Sequence, residues 1–156
     1  MGFTVDIDTG GTFTDGLFGE DDVRGARFNA SGTLLESRSF PIATPTGNQS
    51  SPAVASNGTG WIVAWQDGRN GTDFDLYATT VSAMGVVGTE NGAPVAAAAS
   101  FEEREPALAA AGAVTLLAFR SGDDASSDVV GVRLNASAVS TDAVPFVIGG
   151  GAGVQD

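Results

Sequence analysis

A motif that recurs at a fixed interval constrains the fold of this chain more than any other feature. The segment DVRGARFNASGTLL, which begins at Asp22, returns as DLYATTVSAMGVV from Asp75 and as DVVGVRLNASAV from Asp128. Both steps are 53 residues. With one further residue of offset, SPAVASNGTGWIVAWQDG from Ser51 aligns with EPALAAAGAVTLLAFRSG from Glu105. Self-similarity at such a period indicates that one supersecondary unit is copied along the chain.

Each copy predicts four short β-strands. In the second copy they are Pro52–Ser56, Trp61–Gln66, Asp75–Val81 and a looser strand that ends near Pro94-Val95. Runs of β-branched and aromatic residues between Asn-Gly and Ser-Gly turns are typical of antiparallel meanders. The Ala-rich stretch Ala107–Ala111 is the one helical candidate, but it aligns with a strand of the second copy and is predicted to be a strand itself. A four-stranded sheet that recurs at roughly this period is the pattern of a β-propeller blade.

The repeats resemble the β-propeller repeats of large secreted bacterial proteins. Those repeats carry runs such as Ser-Pro-Ala-Val-Ala, Trp-Gln-Asp-Gly-Arg and Asp-Val-x-Gly-Ala-Arg, which stand here at Ser51–Ala55, Trp65–Arg69 and Asp22–Arg27. The resemblance covers about residues 20–150. It implies a fold and a secreted or cell-surface location, and it transfers no catalytic residues. The first residues show neither the basic nor the apolar segment of a signal peptide, so none is predicted in this chain.

The chain is therefore predicted to be an all-β β-propeller protein with three blades. The blades are predicted over residues 1–47, 48–101 and 102–156. The first assumes that Gly2–Asp15 supplies two strands, because Thr12–Gly16 resembles Ala64–Gly68. Three blades cannot close a ring, and an open arc leaves an apolar face at each end. We therefore expect two chains to pair as a homodimer and to form a six-bladed ring.

The residue types that the chain lacks exclude several functions. There is no His, Cys or Lys, and Arg supplies all seven positive charges. The chain thus has no imidazole base, thiol nucleophile or Schiff-base amine, which weighs against most enzyme classes. A net charge of −12 disfavours nucleic acid and anionic membranes as partners, and no apolar run reaches the length of a membrane span. Together with the repeats, these absences favour a non-enzymatic binding or scaffold module, with a protein or a glycan as its ligand.

Acidic loops follow the second predicted strand of each copy. They combine closely spaced carboxylates with Gly and Asn, and the candidate metal ligands are Asp67, Asp73, Asp75, Asp123, Asp124 and Asp128. Hard cations take several oxygen ligands from a flexible loop, so this pattern predicts a calcium (Ca²⁺) site that stabilises the fold. The same side chains also fix turns by accepting hydrogen bonds from backbone N–H groups, and this alternative stays open.

Two tryptophans differ in their expected roles. Trp65 aligns with Phe119 and is predicted to lie in the core. Trp61 aligns with Thr115, so of the two tryptophans we expect Trp61 to be the more exposed. An exposed Trp61 is the candidate for stacking on a sugar ligand.

The first eighteen residues carry a second resemblance. The run DIDTGGTFTD, Asp6–Asp15, is similar to the amino-terminal hairpin of the hydantoinase A, oxoprolinase and acetone carboxylase β-subunit family, whose fold is that of actin-like ATPases. The resemblance implies a phosphate-binding loop that also helps to hold a metal, formed by Asp8, Gly10, Gly11 and Thr12. The match ends near Phe18, and nothing later supplies the rest of that fold. The alternative function is therefore a phosphate- or nucleotide-binding fragment, and a plain turn between two strands is the other interpretation.

Overall fold

A computed structural model describes residues 2–9, 20–97, 101–123 and 126–150, with the backbone alone over 3–9. Every helix or strand assigned within these ranges is a β-strand, and the ranges contain no helix. The predicted all-β class is therefore confirmed. The described ranges contain no helix long and apolar enough to cross a membrane.

Eleven strands make up this part of the chain. They are β1 (Gly2–Thr9), β2 (Asp21–Phe28), β3 (Phe40–Ala43), β4 (Gln49–Ser56), β5 (Gly60–Asp67), β6 (Asp75–Ser82), β7 (Ala93–Ala96), β8 (Glu103–Ala111), β9 (Val114–Gly122), β10 (Ser127–Leu134) and β11 (Phe146–Gly149). They form three sheets, β1-β2-β3 (sheet 1), β4-β5-β6-β7 (sheet 2) and β8-β9-β10-β11 (sheet 3). Each strand pairs antiparallel with its neighbour in sequence, so every sheet is an up-and-down meander.

The three sheets share one hairpin turn, which follows β2, β6 and β10. Asn29, Ser82 and Asn135 begin these turns, and the backbone N–H of each donates to the carbonyl four residues later at 2.9 Å. Their side-chain oxygens accept the N–H groups two and four residues ahead. Short polar side chains favour this geometry because they replace a backbone acceptor. The left-handed position that follows is glycine in the first two turns and Ala138, at φ +62°, in the third.

The sheets stack in chain order. β4 contacts β1 and β2 on one side and β8 on the other, so sheet 2 lies between sheets 1 and 3. Its central strand β5 is covered on both faces, which is why the run Ile62–Trp65 is apolar without alternation. Trp65 and Phe119 are 0% and 2% exposed, which confirms their predicted place in the core. Burial of side chains of this size stabilises the fold by about 1.5–3 kcal/mol each.

Two apolar cores separate the sheets. The core between sheets 1 and 2 contains Val23, Ile42, Ala43, Val63, Trp65 and Val81. The core between sheets 2 and 3 contains Ile62, Ala64, Leu76, Ala78, Leu117, Phe119, Val130, Val132, Leu134 and Ala138. Neighbouring residues of β5 thus belong to different cores, as the two-residue period of a strand requires.

Sheet 1 differs from the prediction. Gly2–Thr9 is one strand, and it pairs with β2 as β5 pairs with β6, which places Asp8 opposite Asp22 and Asp67 opposite Asp75. Cross-strand register thus gives Asp8 the position of Asp67, which the sequence had assigned to Asp15. A second strand was expected within Gly2–Asp15, and residues 10–15 lie outside the described residues. The described part of sheet 1 contains no counterpart of β4.

Candidate functional site

The site lies at the end of sheet 2 where β5 finishes and β6 begins. The last residue of β5, Asp67, is paired across the sheet with the first residue of β6, Asp75. The loop of residues 68–74 joins them and carries Asp73, so the structure brings three of the predicted metal ligands into one region. The positions of their hydrogen-bond donors decide what each carboxylate can do.

Asp67 is a buried carboxylate whose oxygens are bonded by donors from the protein. Its side chain is fully buried, and Oδ2 accepts the Trp65 Nε1–H at 2.7 Å. Oδ1 accepts the backbone N–H of Arg69 at 3.0 Å and the Nε–H at 2.8 Å, while the terminal nitrogen donates to Oδ2 at 2.6 Å. A buried carboxylate is stable only when such donors compensate its charge. Asp67 thus anchors the start of the loop.

Arg69 connects this carboxylate to its surroundings. One terminal nitrogen also donates to the carbonyl of Asn91 at 2.7 Å, and the guanidinium lies 3.8 Å from the ring centroid of Tyr77. Burial opposes the charge of Arg69, but the hydrogen bonds and attraction of Asp67 together raise its pKa. The side-chain oxygen of Asn91 accepts the N–H of Thr44, which follows β3, at 2.9 Å. The network therefore links sheet 2 to sheet 1.

Asn70 organises the middle of the loop. Its amide nitrogen donates to Asp73 and, at 3.1 Å, to Asp75, while its oxygen accepts the N–H groups of Thr72 and Asp73. Burial raises the pKa of Asp75, and the nearby charge of Asp73 raises it further. These contacts are the turn-fixing role that the sequence left open.

The corresponding loop of sheet 3 is built differently. Asp128 is the second residue of β10 and lies opposite Ser121, which stands where Asp67 stands in sheet 2. Exposed Asp123 accepts the N–H of Ser126 at 2.7 Å, and Asp124 lies outside the described residues. Within the described ranges, no group of three or more acidic residues is arranged to hold a metal ion. The Ca²⁺ site stays a prediction.

A cleft of about 520 Å³ opens beside the loop. Its acidic side chains are Glu20, Asp73 and Glu102, and Phe74 contributes an aromatic surface. Glu20 precedes β2, Phe74 precedes β6 and Glu102 precedes β8, so the cleft lies where all three sheets meet. The Arg104 guanidinium sits 4.8 Å from the Phe74 ring centroid and pairs with Glu102. Three carboxylates and one aromatic ring thus line the cleft, and Arg104 balances the charge of Glu102, so the recess keeps a net negative charge.

The predicted ligand residues are not brought together. Trp61 is the second residue of β5, near the end opposite to Asp67, and is half-buried against the core between sheets 1 and 2. Trp61 is thus more exposed than the fully buried Trp65, as expected, although sheet 1 packs over part of its side chain. Only the backbone of Asp8 is described; it lies in sheet 1, at the position that Asp67 has in sheet 2, and Gly10, Gly11 and Thr12 lie outside the described residues.

The sequence did not single out Arg69, Asn91, Phe74 or Glu102. Arg69 stands within the Trp-Gln-Asp-Gly-Arg motif, two residues after Asp67, and that spacing was the one local signal for an ion pair. Asn91 is 22 residues from Arg69, and no pattern in the sequence indicates their contact. Glu102 and Phe74 approach each other only through the packing of β8 beside β6.

Comparisons of the chain with protein-family models, with curated proteins and with solved structures return no match. The functional interpretation therefore rests on the geometry of the cleft and on the composition of the chain.

Proposed function

We propose that the chain is an arc of a β-propeller that serves as a non-enzymatic binding module. Sheets 1–3 are three successive blades, and two chains pair to form a six-bladed ring. The stacking of three up-and-down sheets in chain order supports the proposal, since blades pack in this manner around an axis. β4 and β8 are then the strands nearest the axis.

The ligand that fits the cleft best is a positively charged segment of another protein. The observation that carries this choice is the cleft at the meeting point of the three sheets, which three carboxylates line together with the Phe74 ring and in which, within the described ranges, only Glu102 is paired with an arginine, Arg104. Arg and Lys side chains lay their apolar stems on such a ring while their charged ends reach carboxylates. The net charge of −12 adds a long-range attraction that accelerates encounter with a basic partner. A glycan ligand has less support, because Trp61 is half-buried.

Peptide binding tests this function. A fluorescent Arg-rich peptide is titrated with the protein at low and at physiological salt, and a Gly-Ser peptide of equal length serves as the neutral probe. The matched variants each remove two negative charges: Glu20→Gln with Glu102→Gln inside the cleft, and Glu90→Gln with Glu105→Gln outside it. Exposed ion pairs contribute up to about 1 kcal/mol each, so the cleft variant is expected to weaken binding about tenfold. Equal weakening by both variants would show that the cleft is not the binding site.

Phosphate or nucleotide binding through Asp8, Gly10, Gly11 and Thr12 is the second candidate. Its support is the string Asp6–Asp15. Calorimetric titration with Mg-ATP tests it directly, with Asp8→Asn as the variant. Heat that disappears in the variant would favour this function, and no heat at millimolar nucleotide would remove it.

A further inference from the structure

Sheet 2 shows how one sheet of this chain covers the next. The face of sheet 2 that packs on sheet 3 carries Ile62, Ala64 and Leu76, and all three are fully buried. Sheet 1 presents Val23, at the position of Leu76, to sheet 2 in the same manner. The same face of each of these two sheets is therefore buried by the sheet that follows.

Sheet 3 has the same apolar face, and no described residue covers it. Leu117 and Phe119 of β9 point into the core with sheet 2, so Leu116 and Ala118 point to the other side. Cross-strand register gives Leu116 and Ala118 the positions of Ile62 and Ala64. The run Leu116–Phe119 is thus apolar on both faces, as a strand between two sheets is expected to be.

The edge strand enlarges this patch. Side chains of Leu116, Phe146 and Ile148 converge over Gly131, and Ile148 is 49% exposed. Exposed apolar clusters of this kind mark interaction surfaces. We call Leu116, Ala118, Phe146 and Ile148 together the end face of sheet 3.

A polar contact gives an independent indication. Arg27 of β2 pairs with Glu36, and its guanidinium crosses to sheet 2, where it donates to the carbonyl of Ala83 at 2.6 Å. Arg133 and Asp142 form the same pair at the same positions of sheet 3, with the Arg133 side chain 59% exposed. Both acidic partners also accept the backbone N–H of their arginine. The arginine–carboxylate pair whose guanidinium crosses from sheet 1 to sheet 2 is thus repeated in sheet 3, beside the end face.

We propose that the end face of sheet 3 packs against sheet 1 of a second copy of this chain. Each sheet boundary inside the chain joins this face of one sheet to the opposite face of the next. Within the described residues, sheet 1 packs on sheet 2 alone, so no other sheet occupies its opposite face, which is the surface that the contact requires. The Arg133 guanidinium then donates to the carbonyl of Ala30 in the second copy, because Ala30 has the position in its turn that Ala83 has in sheet 2. Two such contacts, one at each junction between the two chains, close the proposed ring. The inference therefore rests on the proposed function and identifies the surfaces through which the chains associate.

The first experiment compares two neighbours on β11. Ile148 lies on the end face, whereas Val147 points to the other side of the strand and is 65% exposed. The masses of the wild type, Ile148→Arg and Val147→Arg are measured by sedimentation over a range of concentrations, after circular dichroism has shown that each is folded. Wild type and Val147→Arg are expected at twice the 15.6 kDa chain mass, with a dimer dissociation constant at least about tenfold higher in Ile148→Arg. A wild type that is monomeric, or larger than two chains, or equal responses to the two substitutions, would overturn the proposal.

Cross-linking provides a readout that does not depend on a disruptive variant. Because the chain has no cysteine, Arg133→Cys combined with Ala30→Cys introduces the only two thiols for a short bismaleimide. Covalent dimers are expected from this pair and not from Arg133→Cys combined with Ala83→Cys, since Ala83 lies at a boundary inside the chain. Equal dimer yields would overturn the proposed contact. Binding of the Arg-rich peptide by Ile148→Arg is measured separately, so failure of self-association and failure of the cleft are distinguishable.

Discussion

The substitution Asp67→Asn removes the charge at the centre of the buried network. The carboxylate accepts four hydrogen bonds, one from Trp65 and three from Arg69. An asparagine retains one acceptor oxygen and turns an NH₂ group toward two of these donors, so two of the four hydrogen bonds to the charged carboxylate are lost, one of them from the Arg69 guanidinium. At about 1.5–3 kcal/mol each, they correspond to about 3–6 kcal/mol, which agrees with about 3–5 kcal/mol for breaking a buried ion pair.

This loss is large beside the total stability of such a chain, which is on the order of 5–15 kcal/mol. At about 2–4 °C per kcal/mol for a chain of this size, the Tm is expected to fall by about 10 °C or more. Urea unfolding followed by circular dichroism measures the free energy directly. The control is Asp123→Asn in the corresponding loop of sheet 3, where the carboxylate is exposed, and its effect is expected to be much smaller.

A double-mutant cycle separates the ion pair from general disruption. Arg69→Met removes the partner charge, and the combination with Asp67→Asn leaves no unpaired charge in the core. We expect the double variant to be less destabilised than the sum of the two single variants. If Asp67→Asn costs under about 1 kcal/mol, or if the two effects simply add, the network does not stabilise the fold as described.

Four further results are expected. Trp65→Phe, which introduces the residue found at Phe119, is expected to cost about 1–3 kcal/mol in urea unfolding because Asp67 loses a donor. Gly92→Ala is expected to cost about 2 kcal/mol or more, since Gly92 has φ +67° and a Cβ there would collide with Trp65; unchanged stability would contradict this packing. Burial raises the pKa of Asp75, so between the ordinary pKa of aspartate and this raised pKa the folded state binds more protons than the unfolded state, and stability falls as pH rises through that interval. Asp75→Asn is therefore expected to stabilise the protein at neutral pH and to lose this advantage below the ordinary pKa of aspartate. The Ca²⁺ prediction requires a Tm that rises with millimolar Ca²⁺ and ceases to do so in Asp73→Asn, and a Tm unmoved by metal or chelator would leave these carboxylates with the turn-fixing role alone.

The local sequence pattern was sufficient to predict three strands of sheet 2 and the position of Trp65 in the core. The predicted strands Pro52–Ser56, Trp61–Gln66 and Asp75–Val81 each lie within an observed strand, because alternation and turn residues are local signals. Ala107–Ala111 is extended as predicted, although alanine favours helices, because pairing with β9 outweighs intrinsic propensity.

Features that depend on contacts between sheets could not be predicted from the sequence. Trp61 is half-buried because sheet 1 packs over part of it, a contact that its alignment with Thr115 did not indicate. The strand Gly2–Thr9 takes its place from register with β2, which no short string determines. The cleft gathers Glu20, Phe74 and Glu102 from three sheets, so its residues become neighbours only after the sheets have stacked.

The central claim is that three stacked sheets form half of a ring that a second copy completes. A crystal structure of the two-chain assembly tests this most directly. The account predicts six sheets around one axis, with β4 and β8 nearest to it and the end face of sheet 3 buried by sheet 1 of the other copy. An assembly in which Leu116 and Ile148 face solvent, or in which another surface joins the chains, would contradict it.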